Sequence, residues 1–136
     1  MVLVYTSFGF GLCALVAALV DEHVYCGLLI ALNSCSILHH AHLTDMKAYR
    51  GGTIIGHVDR TLAHIITAKC LFDTVYLSPI LAAPIWLSVS YVALVYKNKV
   101  QGIDKYVKNK VYYWHASIHI ASQLGLLYRF SLLTKG

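Results

Sequence analysis

Five apolar runs, each about twenty residues long and separated by short polar breaks, constrain this 136-residue chain more than any single motif. They fall at about 2–20, 24–43, 53–72, 75–96 and 111–133. A hydrocarbon core about 30 Å thick takes roughly 20 apolar residues of helix to cross, so the chain has the length for five crossings. Each run is far longer than a barrel strand, and in lipid only helices and closed barrels satisfy every backbone polar group. The expectation is an all-α, polytopic membrane protein: a bundle of about five transmembrane helices forming one domain over 1–136. Charged residues make up only 12% of the chain, about half the usual share in a soluble domain. That excludes a water-facing globule, a disordered tail and a nucleic-acid-binding domain as good fits.

The breaks set an orientation. Seven of the eleven basic residues (Lys47, Arg50, Lys97, Lys99, Lys105, Lys108 and Lys110) lie in the second and fourth loops, on the same side as the N-terminus. The other side has Lys69, Arg129, Lys135 and the acidic Asp21-Glu22 turn. Cationic loops stay cytoplasmic, so the N-terminus is expected inside and the C-terminus on the opposite side. The net charge of +5 thus reports topology, not a nucleic-acid partner. Met1-Val2-Leu3-Val4 has no basic n-region, which makes the first run an expected anchor and not a cleaved signal. The four cysteines, Cys13, Cys26, Cys35 and Cys70, lack C-x-x-C spacing and read as small buried hydrophobes. Pro84 is expected to kink the fourth helix.

Eight histidines are out of place in so apolar a chain. Ionisable groups inside a membrane are costly and mark functional sites by default. His115 and His119 are four apart, on one face of the last helix, and Ser36 and His40 share that spacing on the second. Counted from the basic side at about 1.5 Å per residue, His40, Asp59, His115 and His119 reach one layer beneath the inner surface. Three imidazoles at a common depth beside a carboxylate match a catalytic zinc site, which takes three protein ligands and leaves a position for water. Zinc would lower the pKa of that water and polarise a carbonyl. Asp59 would then serve as general base or orient the water, with Ser36 as a supporting donor.

S-x-x-x-H on the second helix, Asp on the third and H-x-x-x-H on the last resemble the signature of the CREST superfamily. This group includes alkaline ceramidases, adiponectin/progestin-type receptors, haemolysin-III proteins and the Myomaker family. The resemblance implies zinc ligation by His40, His115 and His119, with Ser36 and Asp59 around the zinc-bound water. It implies hydrolysis of a lipid amide or ester drawn from the bilayer. The N-in orientation is similar to the adiponectin-receptor branch. The family normally has seven transmembrane helices against five here; if the last helix matches the family's seventh, two intervening helices are absent. The thinner pocket wall would be completed by a homo-oligomeric partner, a larger membrane complex or lipid.

Two other functions compete with the hydrolase. A haem-binding electron-transfer protein would set His57 or His64 against His115 or His119, which leaves Ser36 and Asp59 without a role. A non-catalytic receptor or structural subunit would keep the metal only to hold helices together. Of the remaining histidines, His39 and His42 are expected at the solvated inner interface, with His39 an alternative ligand, and His23 in the exposed outer turn. His57 and His64, seven apart, are expected to bond between helices. Arg60 is expected to snorkel to the inner surface.

Overall fold

The computed structural model describes residues 2–41, 54–100 and 109–132, with side chains described over 4–39, 54–98 and 113–132. Among these residues the protein is all-helical. Its five helices are α1 (Val2–Leu19), α2 (His23–Ala41), α3 (Ile54–Asp73), α4 (Pro79–Val95) and α5 (Asn109–Ser131). A short 3₁₀ turn at Thr74–Tyr76 leads into α4, and one wider π turn at Tyr96–Val100 follows it.

Local chemistry explains the helix ends. Leaving α1, Glu22 N–H bonds Ala17 C=O at 2.8 Å and Asp21 N–H bonds Ala18 C=O at 3.2 Å. Asp21 takes the left-handed backbone, φ 61°. This pair of bonds around a left-handed residue satisfies the carbonyls that a helix end leaves open, and aspartate tolerates that conformation better than most side chains. Ser78 caps α4 by accepting from Leu81 N–H at 3.4 Å, and Pro79 fills the first helical position, where no N–H is needed. Helix α4 continues past Pro84 to Val95.

The helices pack side by side in the order α3, α2, α1, α5, α4. Although joined by one short turn, α3 and α4 touch only sparsely, so the set forms an arc with a thin junction. Small residues on α1 (Cys13, Ala14, Ala17) let it sit closely between its neighbours, and Leu29, Leu32, Leu126 and Phe130 fill the contact. Outward faces carry large apolar side chains on every helix, including Leu19, Ile30, Ile54, Leu87 and Leu124. Buried positions include Ser7, Ser36, His39 and His119. Among the described residues one helix, Pro79–Asn98, is by itself long and apolar enough to cross a membrane, and Val4–Leu19 and His23–His39 are apolar but shorter.

Candidate functional site

The concave side of the arc encloses a cavity of about 250 Å³ to which all five helices contribute. Ser36 from α2, Asp59, Arg60 and His64 from α3, and His115 and His119 from α5 line it. Its remaining wall is largely apolar, with Phe10, Leu32, Ile66, Ile85 and Leu126. Four of the five residues singled out from the sequence therefore line one cavity. His40 continues α2 one turn beyond Ser36, and its side chain lies outside the described residues.

Helical spacing sets the geometry on α5. The rings of His115 and His119 lie 4.9 Å apart, centroid to centroid, at 66°. His119 is 6% exposed, and its Nδ1 is 2.9 Å from Thr6 Oγ1. Across the cavity, Ser36 is fully buried and its hydroxyl donates to the Asp59 carboxylate. Ser7 Oγ is 2.7 Å from Ser36 Oγ. Ser7, Ser36 and the Asp59 carboxylate thus form one relay of polar contacts running from α1 through α2 to α3.

Among the described residues, no three His, Cys, Asp or Glu side chains gather as metal ligands. Asp59, His39 and His64 therefore do not complete a set with His115 and His119. A third ligand for that pair would have to come from outside the described side chains, where the sequence reading places His40.

Several expectations are corrected here. His39 is buried, 7% exposed, instead of solvated. It follows Tyr25, Leu29, Leu32 and Ser36 at spacings of three and four along the inward face of α2. His57 is exposed and, among the described residues, its ring bonds within its own helix: Nδ1 meets Arg60 Nη2 at 2.9 Å. His64 is also exposed, at the rim of the cavity. Arg60 is half-buried and lines the cavity, and its Nη2 reaches back to the exposed His57, one turn nearer the start of α3. His23 is exposed as expected, and His42 lies outside the described residues.

Sequence reasoning missed Thr6, Ser7 and Gln123. Gln123 extends the fourfold spacing of His115 and His119 by one more turn, so it was available as a signal. Thr6 and Ser7 were hidden in a run that read as uniformly apolar.

No family model, curated protein or solved structure matches this chain.

Proposed function

We propose that the protein is a five-helix integral membrane protein whose cavity is a zinc-dependent hydrolase site for a lipid amide or ester. One observation carries this reading: Ser36, Asp59, His115 and His119 line a single cavity inside a bundle whose outer faces are apolar. Buried polar groups and an apolar exterior suit lipid, where outward side chains need no water and inward ones find partners. The exposed leucines and isoleucines of α1 and α4 would be a severe liability in water.

The two described imidazoles of α5 are donors of the type zinc takes. His115 and His119, one turn apart, would supply two ligands, and His40 the third. Zinc, when bound there, would supply a Lewis acid that polarises an acyl carbonyl and acidifies water. Asp59 would accept a proton from the attacking water and return it to the departing amine or alcohol. Ser36 would hold the Asp59 carboxylate in place, and the apolar wall formed by Leu32, Ile66, Ile85 and Leu126 would take an acyl chain and exclude bulk water.

The test begins with metal analysis of the purified full chain and hydrolysis assays on acyl-amide and acyl-ester lipids. The expected result is near-stoichiometric zinc, lost in His115→Ala/His119→Ala, and hydrolysis lost in Asp59→Ala with zinc retained. Zinc that persists in the double variant, or an intense Soret band in the purified protein, would overturn the reading. Full hydrolysis in Asp59→Ala would overturn the role given to that residue.

A further inference from the structure

Helix α1 reaches the site through two neighbouring residues. Ser7 bonds Ser36, as described above, and Thr6 engages α5 twice. Thr6 Oγ1 is 2.9 Å from His119 Nδ1, and the Thr6 carbonyl accepts Gln123 Nε2 at 2.6 Å. Gln123 follows His119 by one turn, so the two bonds fix one turn of α5 against one residue of α1. Phe10, one turn after Thr6, sets its ring edge to face with His119 at 5.4 Å. Gly9 allows this approach, because a Cβ there would run into the Gln123 amide.

The direction of the Thr6–His119 bond follows from threonine chemistry. On a helix, a threonine hydroxyl commonly gives its proton to the carbonyl one turn back, and its oxygen is left to accept. The imidazole nitrogen bonded to that oxygen is then the protonated one, and the lone pair sits on the other. A metal-binding histidine is ordinarily fixed in this way through its second nitrogen.

We propose that Thr6 is a positioning residue whose hydroxyl holds His119 as the Nδ1–H tautomer and so makes Nε2 its metal-binding nitrogen. The functional consequence rests on the zinc reading above, while the tautomer is defined with or without metal.

The test uses the full chain in lipid nanodiscs with ¹⁵N-labelled histidine, stripped of metal by a chelator, at a pH above the imidazole range. Long-range proton–nitrogen NMR reads the tautomer, and the His119 signals are identified by their loss in H119Q. The expected result is the Nδ1–H tautomer in wild type and T6S, and a shift toward Nε2–H in T6V. A wild-type Nε2–H tautomer, or an unchanged T6V, overturns the proposal. Chelator-competition titration with zinc alone gives the second measurement. T6V should bind about 10- to 100-fold more weakly than wild type, and T6S should recover most of that loss; equal affinity in T6V and wild type overturns the proposal. Should wild type bind no zinc, the hydrolase reading fails and the tautomer measurement alone decides for or against Thr6. Valine is close to isosteric with threonine, and T6A makes the same comparison if T6V does not fold.

Discussion

Tyr25 Oη donates a 2.6 Å hydrogen bond to Asp73 Oδ2, joining the first turn of α2 to the last residue of α3. Asp73 also faces Arg129 of α5 at 3.5 Å and Lys69 at 3.7 Å, and Arg129 reaches Glu22 at 3.9 Å. Lys69 lies over the Tyr25 ring, 4.6 Å from its centroid. Two acids and two bases thus balance where three helices end. The Arg129 side chain is only 12% exposed and its Nε has no hydrogen-bond partner among the described residues, so the cluster is already taxed by desolvation.

Removing one member should therefore cost more than the bonds it makes. Arg129→Met leaves Asp73 and Glu22 without their shared cation, a loss of about 3–5 kcal/mol. Tyr25→Phe removes one bond to a charged acceptor, about 1.5–3 kcal/mol. Thermal unfolding of the detergent-solubilised protein should rank R129M below Y25F. Adding Asp73→Asn to R129M should restore part of the loss, because it removes a buried carboxylate that has lost the nearer of its two cations. A double variant less stable than R129M would show that Asp73 has enough partners without Arg129.

The Ser7–Ser36–Asp59 relay makes a graded prediction. Ser7→Ala leaves Ser36 bonded to Asp59 and should cost about 1 kcal/mol of stability. Ser36→Ala leaves both Ser7 and the carboxylate short of a partner, so its cost should be larger, up to about 3 kcal/mol. In lipid hydrolysis assays the rate should fall in the order wild type, Ser7→Ala, Ser36→Ala, Asp59→Ala. The last should lose about 100-fold or more if Asp59 is the base. Equal rates in wild type and Ser36→Ala would remove the relay from the reaction.

How much of this could be read from the sequence differs between helix and side chain. Uninterrupted apolar runs between charged breaks located all five helices, since a run of that length has one economical conformation. The start of α4 was placed early, because Thr74–Tyr76 form a 3₁₀ turn before Ser78 and Pro79 begin the helix. The Ser36, Asp59, His115 and His119 grouping was legible because depth along a spanning helix follows from residue count. Rotation about the axis does not follow from it. That is why His39 turned out buried and His57 exposed. The contribution of α1 was hidden for another reason. Thr6 and Ser7 are small hydroxyls in an apolar run, and they give no periodic signal until a neighbour supplies the matching donor or acceptor.

Topology supplies a test that needs no activity. With the N-terminus inside and five crossings, tags at the two ends should lie on opposite sides of a sealed vesicle. Protease added outside should remove one tag and spare the other until detergent is added. Tags that are both removed or both protected would mean an even number of crossings, and the depth argument that grouped Asp59 with His115 and His119 would lose its basis.

The glycines on the first two helices separate close packing from backbone propensity. A Cβ on Gly9 would collide with Gln123, whereas a Cβ on Gly27 meets nothing within 4 Å. Gly27 lies within α2, and replacing a helical glycine by alanine recovers about 0.5–1 kcal/mol of backbone entropy when there is room. Gly27→Ala should therefore raise the melting temperature slightly. Gly9→Ala gains the same propensity but forces α1 away from α5, an overpacking cost of about 1–3 kcal/mol, and should lower it. Because Gln123 bonds the Thr6 carbonyl, the same displacement would pull Thr6 from His119, so Gly9→Ala should weaken zinc binding as well as stability. If Gly9→Ala melts at or above wild type and binds zinc normally, the Gln123 side chain can move aside, and α1 does not hold the site through that contact.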